Sequence, residues 1–236
     1  MKNYFSLLLL VPALLLACKA PSEPEASQET NPVNSQQSEV NQEAPRYKTK
    51  ELRSLKVVGD FDGDGVRDSL ETGFYSVDSK TYLDKIAMPE DIEWDSIMVW
   101  FDQQNLSTVV KSANTKMDSI EFVSSFGLYC LINLGDLNGD KGDELALVND
   151  RLDMSRLNSC QVYSYCNGKW KVLTEFGVHE DAFDFIGDEQ PVFKLISGHL
   201  EPRGKKWFYK DYNKQEFESQ DSVGQMFELR VKPCKP

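Results

Sequence analysis

The distribution of apolar and polar residues along the chain predicts a mainly β protein. Residues 128–134 are apolar on both faces, which is typical of a central strand. Residues 225–232 alternate apolar with charged side chains over most of their length, which predicts a strand with one buried face. Further strands are predicted at residues 47–58, 144–148 and 207–212, a hairpin at 96–101 and 106–111, and a short helix at 180–186.

A second hairpin is predicted where Asn167-Gly168 separates the runs 160–166 and 169–176. The Asn-Gly pair suits a two-residue type I′ turn, because both positions adopt positive φ there. Such a turn pairs Cys166 with Lys169 and continues outward in register. One face of this hairpin is then predicted to carry Tyr163, Tyr165, Trp170, Val172 and Phe176.

The chain begins with a segment that differs from the rest. Lys2 precedes an apolar run at residues 5–16, which is too short to span a bilayer comfortably. The run ends in Leu15-Leu16-Ala17-Cys18, which resembles the lipobox of bacterial lipoproteins. That resemblance implies a signal peptide at residues 1–17, a lipid anchor on Cys18 and a place in the cell envelope, at the outer membrane because residue 19 is not Asp. The alternative is a plain secretory signal.

Residues 18–46 and 47–236 differ in composition. The first range lacks aromatic residues and is rich in Ser, Pro, Gln, Asn and Glu, so it cannot bury enough apolar surface to fold. We expect a disordered tether with a reach of roughly 30 Å. The second range is long enough for one β-rich globular domain. The formal net charge of −12 makes nucleic acid a poor partner.

An acidic loop follows the first predicted strands. Asp60, Asp62, Asp64 and Asp68 occupy positions 1, 3, 5 and 9, and the Val66 carbonyl is available at position 7. Calcium takes six to eight oxygen ligands, and acids at alternate positions of a short loop can surround one ion. The sequence therefore predicts a calcium site, with an ordinary acidic surface turn as the alternative.

A second loop repeats this spacing 76 residues later. Asp136, Asn138, Asp140 and Glu144 take positions 1, 3, 5 and 9, with the Gly142 carbonyl at position 7. A second, weaker calcium site is predicted there.

Only the first of the two loops matches the twelve-residue pattern of an EF-hand. Glu71 stands at position 12 of the first loop, but Leu147 takes that position in the second. An EF-hand also needs flanking helices, whereas the flanks of the first loop are β-branched and Gly-containing, as in strands. The shared pattern D-x-[DN]-G-D-x-x-x-[DE] between strands instead resembles the calcium loops of FG-GAP/VCBS repeats. This resemblance implies calcium-stabilised antiparallel sheets. With two copies only, the expected fold is a partial or atypical propeller-like or sandwich β-domain with little helix.

Disulfides are expected in an exported protein. With Cys18 assigned to lipid, Cys130, Cys160, Cys166 and Cys234 remain. If residues 160–166 form one strand, its two cysteines lie roughly 20 Å apart and cannot bond. Cys130 is then predicted to pair with one of them and Cys234 with the other, and four free thiols are the alternative.

Signs of catalysis are weak. His179 precedes two acids, but no hydrolase, zinc-protease or phosphate-loop motif accompanies it. We therefore expect a non-enzymatic, calcium-stabilised envelope lipoprotein with a binding or structural role, and a protein or polysaccharide as a possible ligand. The alternative is a surface hydrolase or polysaccharide-binding accessory protein, with sugar-stacking residues among Trp94, Trp100, Trp170 and Trp207.

Overall fold

The chain folds into a set of antiparallel sheets. The structure, a computed structural model, describes residues 46–113, 116–151, 155–183, 192–215 and 225–233, which lie in one compact unit, Ala44–Pro236. The described strands are β1 (Tyr47–Glu51), β2 (Lys56–Gly59), β3 (Asp68–Ser76), β4 (Thr81–Leu83), β5 (Lys85–Pro89), β6 (Leu106–Ser112), β7 (Ile120–Val123), β8 (Gly127–Gly135), β9 (Glu144–Asp150), β10 (Leu157–Cys166), β11 (Lys169–His179), β12 (Leu200–Arg203), β13 (Lys206–Tyr209) and β14 (Phe227–Glu228). The described helices are α1 (Trp94–Asp102), α2 (Tyr212–Gln215) and a 3-10 turn, Glu180–Ala182.

Four sheets arise from these strands. The largest has the order β2-β3-β6-β7, with β4 also paired to β3. A second sheet has the order β11-β10-β9-β8, a third β12-β13-β14, and β1 pairs with β5 in a two-stranded ribbon. All of these strand pairs are antiparallel. The prediction of a mainly β fold with little helix is confirmed.

In the sheet β11-β10-β9-β8, strands β8 and β9 are buried on both faces. Along β9, Leu145 and Leu147 enter one apolar cluster while Ala146 and Val148 enter another, and all four are fully buried. The first cluster lies toward β2 and β3, and the second toward β12 and β13. The strand predicted at 128–134 is confirmed as β8, buried on both faces. However, it ends the four-strand order rather than lying at its centre.

The Asn167-Gly168 hairpin forms with the predicted pairing, Cys166 with Lys169 and Tyr163 with Val172. A bulge between Val162 and Tyr163 then shifts the register, so that Phe176 pairs with Cys160. Because one extra residue moves the following side chains to the other face, Phe176 joins the cluster opposite Tyr163. The prediction of a single aromatic face is therefore wrong at Phe176.

The strand predicted at residues 96–101 is wrong, because these residues belong to helix α1. A short apolar run does not distinguish a strand from a helix by its period. Phe101 is buried against Phe126, with ring centroids 5.0 Å apart, whereas Val99 is 59% exposed. The helix therefore buries the side that carries Phe101 and exposes the side that carries Val99.

Other predicted elements are shorter than expected. The predicted strand at 207–212 ends at Tyr209, and the predicted strand at 225–232 is shortened to Phe227–Glu228. The helix predicted at 180–186 is a 3-10 turn over its first three residues, and residues 184–191 lie outside the described part.

The predicted disulfide of Cys130 is wrong, because Cys130 and Cys160 are buried free thiols. Both residues are paired with Val148, one from each side of β9. Two strand spacings, roughly 10 Å, therefore separate them, which exceeds the span of a disulfide. Cys234 lies outside the described residues.

The predicted signal peptide, the Cys18 anchor and the tether also fall outside the described residues. Within the described part, no helix is long and apolar enough to cross a membrane.

Candidate metal centre

The first acidic loop, residues 60–67, connects β2 to β3. Gly59 at the end of β2 is paired with Asp68 at the start of β3, so the loop closes on itself like a hairpin. Phe61 at the second position is fully buried, and its ring centroid lies 6.1 Å from that of Trp170. This apolar contact fixes the base of the loop to the protein core.

Three of the predicted carboxylates converge in this loop. Asp60, Asp62 and Asp68 each offer an oxygen, and these oxygens lie within 4.8 Å of one another. Asp68 is buried, and the other two are partly buried. Oδ1 of Asp60 is itself buried and accepts no hydrogen bond from the described residues. A buried, unpaired carboxylate oxygen is costly unless a cation or donor satisfies it.

The electrostatics of the cluster are unfavourable without a cation. Burial raises the pKa of Asp62, and the neighbouring carboxylates of Asp68, Asp64 and Asp60 raise it further. The hydrogen bond from the Asp64 N–H partly offsets this effect. Protonation or a bound cation would relieve the repulsion.

Backbone donors hold one oxygen of each acid in the loop. The four bonds run from the N–H of Phe61 to Asp68 Oδ2 (3.1 Å), of Asp64 to Asp62 Oδ1 (3.2 Å), of Gly65 to Asp60 Oδ2 (3.0 Å) and of Val66 to Asp64 Oδ1 (2.8 Å). Gly63 and Gly65 have φ of 74° and 88°, the left-handed region in which glycine is favoured. Asp64 and Val66, also predicted as ligands, are exposed and lie outside the cluster of three acids.

The second loop, residues 136–143, connects β8 to β9 with the same geometry. Gly135 is paired with Glu144, as Gly59 is with Asp68. The four backbone bonds recur, from the N–H of Leu137 to Glu144 Oε2 (2.6 Å), of Asp140 to Asn138 Oδ1 (2.8 Å), of Lys141 to Asp136 Oδ2 (3.2 Å) and of Gly142 to Asp140 Oδ1 (3.1 Å). The repeated spacing therefore corresponds to a repeated loop structure.

The second loop differs in how its acids are satisfied. The side-chain amide of Asn138 donates to Oε1 of Glu144 (2.6 Å), and Gly139 N–H donates to Oδ1 of Asp136 (2.7 Å). Glu144 is fully buried, and this burial raises its pKa to about 7. Both oxygens of Glu144 and both of Asp136 thus have protein donors.

The two loops pack against each other. Asp60 N–H donates to Oδ2 of Asp143 (3.0 Å), and Asp143 N–H donates to the Asp60 carbonyl (2.7 Å). The amide of Asn133 bridges Asp143 Oδ2 (2.8 Å) and the Val58 carbonyl (3.1 Å). A Cβ at Gly59 would clash with Asn133 and lie 2.7 Å from Asp143 Oδ2. No local sequence pattern predicts this contact, because it depends on the packing of two sheets.

The candidate catalytic residue His179 and the second histidine, His199, lie outside the two acidic loops. Nδ1 of His179 accepts a hydrogen bond from Asp181 N–H (3.2 Å), which caps the 3-10 turn, and Arg156 forms ion pairs with Glu180 and Asp181. His199 is half-buried, and burial lowers its pKa. His179 thus caps a turn, whereas Nδ1 of His199 is buried and has no hydrogen-bond partner among the described residues.

The tryptophans whose side chains are described lie apart. Trp207 is buried in the cluster toward β12 and β13, and its Nε1 donates to the Leu134 carbonyl (2.8 Å). Trp170 packs on the cluster beside the first loop, and Trp100 packs on a third cluster with Phe101. These three rings do not form a common sugar-binding platform.

Comparisons with protein families, with curated proteins and with solved structures find no match for this chain.

Proposed function

We propose that this protein is a non-enzymatic, calcium-stabilised lipoprotein of the bacterial cell envelope, with a binding or structural role. The observation that supports the calcium site is the buried, unpartnered Oδ1 of Asp60 beside the carboxylates of Asp62 and Asp68. Hard cations prefer such oxygen sets. A cation there would replace repulsion among three acids with attraction.

The proposed ion acts on more than its own loop. Asp60 exchanges two backbone-mediated hydrogen bonds with Asp143 in the second loop. Fixing Asp60 therefore holds the edge of β2 against the turn between β8 and β9. In this proposal Asp64 and the Val66 carbonyl turn inward, or water completes the coordination.

The second loop is proposed to bind calcium more weakly. An ion among Asp136, Asn138, Asp140, the Gly142 carbonyl and Glu144 must displace the Asn138 amide from Glu144. Lys141 also adds a positive charge to the loop. Both features lower the affinity for a cation relative to the first loop.

A thermal melt in millimolar calcium and in chelator tests the proposal. Because calcium binds the native state only, an excess of a hundredfold over Kd should stabilise by about 2.7 kcal/mol. Asp62→Ala should abolish the shift, and Asn138→Ala should reduce it only slightly. If chelator leaves the melting temperature of the unsubstituted protein unchanged, the loops are acidic turns.

Terbium luminescence locates the ion. Terbium replaces calcium at oxygen sites, and a nearby indole excites its emission. Trp170 contacts Phe61 of the first loop, so its excitation should sensitise bound terbium. Trp170→Phe should abolish this emission, while calcium should compete with it in the unsubstituted protein. Emission that survives both Trp170→Phe and Asp62→Ala would place the ion elsewhere.

The lipid anchor is proposed from the sequence alone and needs its own test. Mass analysis of the protein from envelope membranes should find a mature chain that begins at Cys18 with lipid attached. Cys18→Ser should move the protein from the membrane fraction into the soluble fraction. An unmodified Cys18 inside an uncleaved chain would contradict this part of the proposal.

A further inference from the structure

Strand β1 has lysines on the same face on which its partner strand, β5, has buried apolar residues. Lys48 is paired with Met88 and Lys50 with Ile86, and paired residues of an antiparallel ribbon point to the same face. Met88 and Ile86 are buried, whereas Lys48 is exposed and Lys50 is half-buried. Polar residues at positions that the pattern assigns to a core often mark a functional site.

These lysines border a cavity of about 550 Å³ between β1 and the start of β8. Its apolar lining includes Phe126, and Lys50 Nζ lies 4.6 Å from the centroid of that ring. Tyr129 and Phe183 also line it, stacked with centroids 4.7 Å apart and planes 12° apart. A cavity of this volume accommodates a small organic molecule.

The charge of the cavity differs from that of the protein. Lys48, Lys50 and Arg53 line it together with two carboxylates, Glu51 and Asp150, in a chain whose net charge is −12. The lining therefore carries three cationic and two anionic side chains and has a small positive balance. Lys48, Lys50 and Arg53 lie in or next to β1, and the aromatic rings of Phe126, Tyr129 and Phe183 complete much of the lining.

We propose that this cavity binds a small organic anion, whose carboxylate, sulfonate or phosphate group contacts Lys48 and Lys50. Its aromatic or apolar body lies against Phe126 and the Tyr129–Phe183 stack. Ammonium groups form charge-assisted hydrogen bonds with such anions, and the rings bury the apolar part. The site shares no residue with either acidic loop, so it does not depend on calcium.

Two fluorescent probes test this site on the full chain. The probe 1-anilinonaphthalene-8-sulfonate has an aromatic body and one sulfonate, and N-phenyl-1-naphthylamine has the same rings without the sulfonate. We expect saturable binding of the anionic probe, with the neutral probe bound at least about tenfold more weakly, the ratio that one charge-assisted contact produces. Equal affinity for the two probes would overturn the proposal.

Substitutions of Lys48 and Lys50 test whether the anionic probe binds in this cavity. Lys48→Met with Lys50→Met keeps the apolar stems and removes both charges, so the affinity for the anionic probe should fall at least about tenfold. Lys50→Arg should retain binding, and so should Lys56→Met, a control at an exposed lysine of β2 outside the cavity. Unchanged affinity in the double variant, or an equal loss in Lys56→Met, would overturn the proposal. If the double variant has a lowered melting temperature, the single Lys50→Met variant repeats the test.

Discussion

The two acidic loops have the same backbone scaffold and a different balance of charge. Each closes between antiparallel strands and makes the same four hydrogen bonds from backbone N–H groups to its acids. The third position distinguishes them. Asp62 has no proton to donate and raises the charge beside Asp68, whereas the amide of Asn138 donates to Glu144. The amide in the second loop thus supplies a donor at the position where the first loop has a third carboxylate.

The largest expected effect comes from exchanging this third residue. In chelator, Asn138→Asp replaces a donor with a carboxylate beside the fully buried Glu144, which should cost about 3 kcal/mol, because a buried acid loses its donor and gains a like charge. Asp62→Asn should instead stabilise the metal-free protein by about 1 kcal/mol, because it removes repulsion and adds a donor. Denaturant unfolding of both variants in chelator measures these changes.

Calcium should narrow the difference in stability between these two variants. The second loop of Asn138→Asp then carries the acid set of the first, so calcium should restore part of its lost stability. Asp62→Asn should lose most of the calcium response of the unsubstituted protein. If calcium changed the stability of both variants by the same amount, the third residue would not determine the calcium response of either loop.

The buried Glu144 predicts a pH dependence specific to the second loop. Its pKa is about 7 in the native state against an ordinary value of 4.5, because burial disfavours the ionised form. Between these values the native state holds a proton that the unfolded state has lost. The contribution of Glu144 to the free energy of unfolding therefore falls as pH rises from about 4.5 to about 7, by roughly 3 kcal/mol, and is constant above that range.

Unfolding free energies of the unsubstituted protein and Glu144→Gln, measured in chelator across this pH range, isolate that contribution. The free energy of unfolding of the unsubstituted protein, relative to that of Glu144→Gln, should fall as pH rises through this range. A cation bound in the second loop would keep Glu144 ionised and remove the dependence. A difference that does not vary with pH in chelator would show that Glu144 is ionised throughout.

Much of this comparison could be predicted from local sequence. The spacing of acids and glycines predicted both loops, because side chains that bond to N–H groups two to seven residues away are local features. The Asn167-Gly168 hairpin was predicted for the same reason.

What the sequence did not predict depends on distant residues. The bulge that turns Phe176 away from Tyr163 is set by packing on both faces of the sheet, not by the turn. The burial of Glu144, and its hydrogen bond with Ser164 of β10, require the neighbouring strand. Likewise, the link from Asn133 and Asp143 to the first loop exists only once the sheets have packed.

The smallest expected effect concerns the sixth position of each loop. Gly65 and Lys141 have nearly the same left-handed φ, 88° and 84°, which costs a residue with a Cβ roughly 1–2 kcal/mol. Gly65→Ala should therefore destabilise by about 1 kcal/mol, and the cause is the backbone because a Cβ there meets no atom within 4 Å. Lys141→Gly should stabilise by less than about 1 kcal/mol, since the glycine loses more entropy on folding.

Lys141→Ala separates strain from charge, because it removes the ammonium group and keeps a Cβ at the strained φ. Thermal melts in chelator should place its stability at or below that of the unsubstituted protein, with Lys141→Gly above both. In calcium, both substitutions at Lys141 should increase the response of the second loop, because each removes a positive charge from the proposed cation site. If Lys141→Gly and Lys141→Ala had equal stability in chelator, backbone strain at the sixth position would not distinguish the two loops.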